Sequence, residues 1–403
     1  MINRYINYLI VAYAFVIPIS RAAIVLFSFL LIVLFLISEK GNYKKIFAKI
    51  MEQKVLMVLF IFIIYHFISL LYSDHLYEGF RYIYKYWYYL VIPVIFIKLD
   101  KKYINYSISA FLLGMMISEI LSYGIFFELW QLKHGTPSDP TPFMNHLQYS
   151  MFLSFTSLLL LNRVFFEENI KWRIFYSLYF LTVTSNLFLN GGRTGHLAFA
   201  VSIFVVGFLN IKNKIIAFLS MLVLVVAIFY TAYHVSPVFK TRFDASVNET
   251  NKISNNQKNQ YQGSFGIRLA LWIVGIEIIK DNPILGVGVG DSMPVLRDIV
   301  SQKGYEDKSS ISNMPNYHNY YVEVAVQLGI IGLFLYLLFF YYISKIDIKD
   351  KYIYNMMIIF VTVYCVASNV ENMFHQQFSM AILALFVGLF LAKSRIEIEK
   401  NEI

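Results

Sequence analysis

The sequence predicts an all-α, polytopic transmembrane helical bundle of about twelve spans, and three observations carry that prediction. Of the 403 residues, 58% are hydrophobic and only 15% are charged, whereas soluble domains carry nearer a quarter charged residues. Apolar runs long enough to cross a hydrocarbon core of roughly 30 Å recur from end to end. Lys and Arg are dense in alternate connections between those runs, as the cytoplasmic excess of positive charge requires.

Taken in order, the runs predict spans near residues 5–20, 22–38, 54–72, 82–98, 103–128, 144–162, 172–190, 194–210, 214–232, 318–343, 353–371 and 376–392. The first, Ile6–Ile19, has one basic residue ahead of it, no small-residue cleavage site and another apolar run close behind. It therefore reads as a retained helix rather than a removed signal. With the N-terminus placed in the cytoplasm, twenty Lys and Arg fall in segments assigned inside, against five in the short outside loops: Arg21, Arg81, Lys85, Lys133 and Arg193. That bias places both termini in the cytoplasm. The net charge of +9 is thus a topology signal and argues against a nucleic-acid partner. The single Cys365 lies in an apolar run and leaves no internal disulfide.

Three regions follow: spans one to nine over 1–232, a long outside segment over 233–317, and spans ten to twelve with a short tail over 318–403. Trp130–Phe143 is rich in Pro and polar residues and reads as a loop. Within the long segment, Ala245–Gln262 is polar and reads as solvated and mobile. Ile267–Lys280 carries Leu269, Ile273, Ile276 and Ile279 around Trp272 and stops at Asn282-Pro283. A helix near 267–281 is too short to span, so it is expected along the membrane surface. No internal repeat is visible.

The chemistry concentrates at the expected outer ends of the helices. His318-Asn319 opens the tenth span, nine residues separate Asn319 from Gly329, and Gly329-x-x-Gly332 follows inside the apolar run. The positive end of a helix disfavours an imidazolium, and a neutral imidazole is what a general base needs. Asn319 suits either a substrate contact or a helix cap, and His318 itself suits a purely interfacial role. Gly329 and Gly332 are spaced to let another helix approach closely. Arg193 stands in Asn190-Gly191-Gly192-Arg193-Thr194-Gly195, where glycines permit a sharp turn and let backbone amides approach an anion. An arginine at that depth is costly without a partner. A diphosphate matches its planar fork, and snorkelling to lipid phosphates is the plainer alternative. Arg268, in Gly266-Ile-Arg268-Leu-Ala-Leu-Trp272, opens the surface helix, where a basic residue also needs no special role. Secondary candidates at outer span ends are His146, Glu371-Asn372 with His375, and the pair Arg81 and Lys85, any of which suits an acceptor groove or a structural role.

Gly286-Val-Gly288-Val-Gly290 lacks the strand and helix that flank a nucleotide loop, so no nucleotide is expected. Tyr72-Ser-Asp74-His75-Leu-Tyr-Glu78 offers no tight carboxylate pair for a hard cation. The expectation is therefore no metal and no cofactor.

The His318-Asn319, nine-residue, Gly329-x-x-Gly332 signature resembles that of the bacterial O-antigen ligase family. Arg193-Thr194-Gly195, Arg268 with Trp272, and Asn282-Pro283 followed by Gly286-x-Gly288 resemble further blocks of the same family, so the likeness covers roughly residues 190–338. The resemblance implies a multi-pass enzyme of the bacterial inner membrane with its active site facing the periplasm. It would transfer a glycan from an undecaprenyl-diphosphate-linked donor onto a lipid A-core acceptor by a metal-independent, inverting reaction. Arg193 and Arg268 would bind the carrier diphosphate and His318 would be the catalytic base; Asn319, His146, Arg81 and Glu371 are candidates for orienting the acceptor by their position alone, a structural role suiting each equally well. Two other readings stand beside it. An O-antigen polymerase would join carrier-linked repeats, and a transporter or flippase would move a lipid-linked saccharide. Transporters usually bury ionisable residues near the midplane; here Glu119 is the plainest such case, and the remaining candidates gather at the outer ends.

Overall fold

The computed structural model describes residues 2–132, 134–254, 263–303 and 308–401. Over these residues the chain is helical, broken by turns and short 3-10 segments, and holds no strand beyond an isolated bridge between Thr136 and Asp139. Nine helices among the described residues are long and apolar enough to cross a membrane, and the chain is a multi-pass membrane protein. The other three expected spans are helical too, but each falls short for a visible reason. Ile2–Val16 has only 15 residues. The stretch near 82–98 is split between the 3-10 segment Tyr84–Leu90 and the helix Val91–Lys98. Ile170–Leu189 is long enough but diluted by Lys171, Trp172, Arg173 and Asn186.

Side-chain caps explain many of the helix starts. Ser20, Asn145, Asn169, Asn213, Asn319 and Asp350 each accept a hydrogen bond from a backbone N–H of the turn they open, satisfying donors that a helix start otherwise leaves bare. The helices His146–Phe166 and Gln377–Asn401 are the most buried of the candidate spans. The first packs against Ile170–Leu189, Arg193–Asn210 and Lys351–Ser368, the second against Val91–Lys98. Lys214–Val235 sits at the rim with Ile215, Leu219, Val223 and Val226 exposed, apolar side chains that suit lipid contact.

The long segment is more helical than its composition suggests. Pro237–Ser254 is a helix covering the first half of the stretch expected to be solvated; residues 255–262 of that stretch, and Lys133 of the basic count, lie outside the described residues. The expected surface helix extends over Gly263–Asp281 and does more than lie on a surface. Its Ala270, Leu271, Val274 and Ile278 form a second small core with Leu296, Val300, Ile311, Tyr317 and Val326, while Ile273 and Ile276 remain exposed on its other side. Trp272 closes the packing by donating its indole N–H to the Tyr317 carbonyl at 3.0 Å.

The helix Tyr320–Ser344 is interrupted at Gly329, whose φ of 61° and ψ of −160° leave the helical region. The Gly-x-x-Gly spacing therefore serves a purpose other than helix-helix packing. At the break the Val326 and Gln327 carbonyls accept from Val287 and Gly288, and the Ile330 N–H donates to the Pro283 carbonyl. The loop Asn282–Gly290 thus replaces the hydrogen bonds the helix gives up, as irregular backbone at such depth requires. A Cβ on Gly329 would fall onto the Ile284 carbonyl oxygen. The same loop is tied to the end of Lys54–Ser69 and the turn after it. There Val289 and Gly290 donate to Ser69 and Ser73, and Asp291 accepts from the Asp74 and His75 amides and from His75 Nδ1 at 2.7–2.9 Å.

Candidate functional site

His318 sits on the turn that enters the broken helix. Its backbone is left-handed, with φ of 47°, a conformation that costs a residue with a Cβ about 1–3 kcal/mol. The turn is held by local hydrogen bonds. Asn316 accepts the His318 N–H through its side chain at 2.8 Å, and Asn319 caps the helix by accepting from Tyr321 and Val322. The Asn319 oxygen is thereby committed to backbone. Tyr317 on the other side donates its N–H to the buried Glu323 carboxylate at 3.0 Å and its hydroxyl to the Ser292 carbonyl at 3.0 Å. The strained turn is clamped on both flanks, which fixes the direction of the imidazole.

That direction is toward Glu371. His318 Nδ1 and Glu371 Oε2 are 2.8 Å apart, with the carboxylate 1% exposed and the imidazole 17%. The other carboxylate oxygen accepts from the Asn372 N–H at 3.1 Å and from Gln376 Nε2 at 2.7 Å. Burial pushes the Glu371 carboxyl up. The His318 hydrogen bond and charge, the Asn372 amide and the charge of Arg268 outweigh that effect and hold it below its ordinary value. With Nδ1 donating to a carboxylate, Nε2 is the nitrogen that accepts a proton, the arrangement of a general base oriented by an acid.

Of the two arginines, Arg268 stands nearer this pair in charge terms. Arg268 lies one turn before Trp272, which is anchored to Tyr317, and it stands in the fields of both Glu371 and Arg193. Arg193 is the first residue of Arg193–Asn210, the wrong sign for the positive end of a helix. It donates to Ser246 at 2.6 Å, and the fields of Glu249 and Arg242 reach it. Arg242, which the sequence reading did not single out, lines the same small cavity of about 230 Å³ as Arg193 and packs over Gly191. A half-buried Arg193 beside an exposed Arg242 at a helix start is a pairing of like charges that an anion with several oxygens would relieve. The signal for Arg242 was spatial, since it sits on the Pro237–Ser254 helix folded back over the loop.

The glycines beside Arg193 act differently from expectation. The Gly192 N–H donates to Asn190 and the Gly195 N–H to Ser150, and a Cβ on either glycine would collide with the His146–Ser150 turn. They permit close helix packing, and neither amide is free to cradle an anion.

Among the secondary candidates, His146 pairs with Asp139 at 3.2 Å, while the exposed Arg81 stands 3.9 Å from Glu78. His375 stacks on Tyr82 with ring centroids 3.5 Å apart, and its Nε2–H donates to the Tyr82 carbonyl at 2.9 Å. Burial, then the charge of Lys85, lowers its pKa to about 3. The structure thus pairs Glu371 with His318 and puts Arg268 within the field of Glu371, while Arg193 shares a separate cavity with Arg242 and both His146 and Arg81 stand in pairings of their own.

Residues 178–337 match the family model described as O-Antigen ligase, a range that holds Arg193, Arg242, Arg268, His318 and both glycines of the helix break but not Glu371. An uncharacterized protein of Haemophilus influenzae is 24% identical over 231 residues, covering 55% of this chain. The match spans 56% of that relative's length.

Proposed function

We propose that this chain, a member of an O-antigen ligase-like family through residues 178–337, transfers a glycan from undecaprenyl diphosphate to a lipid A-core sugar hydroxyl at the periplasmic face of the inner membrane. The observation that carries this reading is the buried Glu371–His318 pair within the charge field of Arg268, itself within that of Arg193. In this mechanism the donor's diphosphate lies against Arg193, Arg268 and Arg242. His318 Nε2 takes the proton from the acceptor hydroxyl while its oxygen attacks the anomeric carbon. The bond from that carbon to the diphosphate oxygen breaks, and undecaprenyl diphosphate departs with the bonding electron pair, inverting the centre. Glu371 keeps the imidazole in the reactive tautomer and stabilises the imidazolium that forms. The guanidinium groups stabilise charge developing on the leaving group. No nucleotide is required, because the phosphate ester already activates the donor.

The test is reconstitution of the purified protein with a carrier-linked glycan, offered either lipid A-core or a second carrier-linked unit. Glycosylated lipid A-core supports the ligase. Elongated carrier-linked glycan identifies a polymerase instead, and no product from either acceptor overturns transfer and leaves transport.

A further inference from the structure

Beside the Glu371–His318 pair, and distinct from the Arg193–Arg242 cavity, lies a polar cavity of about 380 Å³. Asn372 and Gln376, which hold the Glu371 carboxylate, form part of its wall. An occupant of the cavity therefore sits against the residues that set the base. Three cations face it: Arg81, Lys85 and Arg297. Arg297 spends one N–H on the Ser312 carbonyl, Arg81 reaches Glu78 only at 3.9 Å, and Lys85 has no carboxylate partner among the described residues. The like charges of Arg81 and Arg21 act on Lys85. The two wall carboxylates are Glu78 and Glu323, the latter engaged by Tyr317 and Gln327.

The wall also carries unmet hydrogen-bonding capacity. The side-chain oxygens of Gln327, Asn372 and Gln376 are buried and lack a donor among the described residues, with Gln327 and Asn372 only 1% and 2% exposed. Buried polar atoms of this kind normally find a partner, and sugar hydroxyls both donate and accept. A second polar cavity of about 290 Å³ shares Lys85, His375 and Gln376 with the first and adds Arg21 and Gln148. The Gln148 oxygen is likewise buried without a donor among the described residues. Adjoining at Lys85, His375 and Gln376, the two cavities form a trough with Arg21, Arg81, Lys85 and Arg297 on its walls.

We propose that this trough is the acceptor subsite and that it selects an oligosaccharide bearing phosphate or carboxylate groups over a neutral one. The inference rests on the transfer reaction proposed above and adds the chemical class of its acceptor. Hydroxyls would meet the amides of Gln327, Asn372 and Gln376, while the anionic groups would meet Lys85, Arg81 and Arg297, with a further contact at Arg21.

The test uses the full chain in nanodiscs, with calorimetric titration of a galacturonic acid trisaccharide, glucose 6-phosphate, maltotriose and inorganic phosphate, and undecaprenyl diphosphate titrated in parallel. The charged sugars are expected to bind at least about 10-fold tighter than maltotriose and than inorganic phosphate, through charge-assisted contacts, with the preference shrinking as salt is raised. The relative strength of the carboxylate and phosphate sugars tells which anion the trough favours. The double variant Lys85→Gln, Arg297→Gln should weaken the charged sugars about 10-fold and leave undecaprenyl diphosphate binding intact, which also shows that it folds. Equal binding of maltotriose, phosphate binding as well as the charged sugars, or no effect of the double variant each overturns the acceptor proposal. Loss of undecaprenyl diphosphate binding by the unaltered chain, with the trisaccharide still bound, strikes the donor half of the proposed function instead.

Discussion

Replacing Glu371 by Gln tests the proposed base with little change of shape. One carboxylate oxygen accepts from the Asn372 N–H and Gln376 Nε2, and the other faces His318 Nδ1 at 2.8 Å. A glutamine keeps the first oxygen and puts an NH₂ group in place of the second. That group donates, so Nδ1 must accept and the imidazole proton moves to Nε2, the nitrogen that has to take the acceptor's proton. The substitution also removes the negative charge that would stabilise an imidazolium. Loss of oriented general-base catalysis is worth about 10²–10⁴-fold, or about 3–5.5 kcal/mol at 1.36 kcal/mol per decade. Glu371→Gln is therefore expected to lower kcat for glycan transfer by that factor. Undecaprenyl diphosphate should bind no more weakly, because Arg268 loses an opposing charge. The assay is single-turnover transfer in proteoliposomes, with carrier binding measured on the same preparation. A variant that transfers within about threefold of the unaltered protein, far short of the loss that removal of a general base predicts, would falsify the assignment of this pair as base and orienter.

Arg193→Lys keeps the charge but loses the fork; donor affinity should fall about 10–100-fold if charge-assisted bonds to a diphosphate are lost, and an unchanged KM for donor would point to lipid snorkelling. Arg242→Gln should weaken the donor in the same direction by a smaller factor, read in the same titration. Gly329→Ala should destabilise the protein by more than about 2 kcal/mol, since a Cβ meets the Ile284 carbonyl in a left-handed backbone; a thermal midpoint in detergent equal to that of the unaltered chain would refute the account of the helix break. Glu371 contributes stability that is complete above its unfolded value near 4.5 and is lost as pH falls through its lower folded value. The stability difference between the unaltered chain and Glu371→Gln should thus be flat above about pH 5 and shrink below it, a trend that parallel acid unfolding curves would contradict.

The helices and the alternating basic connections were legible because composition and periodicity act locally along the chain. His318, Arg193 and Arg268 stood out for the same reason, each at the polar edge of an apolar run. What the tertiary structure decided was partnership. Glu371 is 53 residues from His318 in the chain and was one polar residue among several at span ends until the two helix termini met. Arg242 gained meaning only when the Pro237–Ser254 helix folded over the Arg193 turn. Gly329, spaced for helix packing, proved to be a break filled by the Asn282–Gly290 loop, because the carbonyls a helix leaves bare must find donors from some other segment. Local propensity specifies which elements form. Long-range packing and the need to satisfy buried charge and hydrogen bonds specify which side chains face one another, and chemistry resides in that second choice.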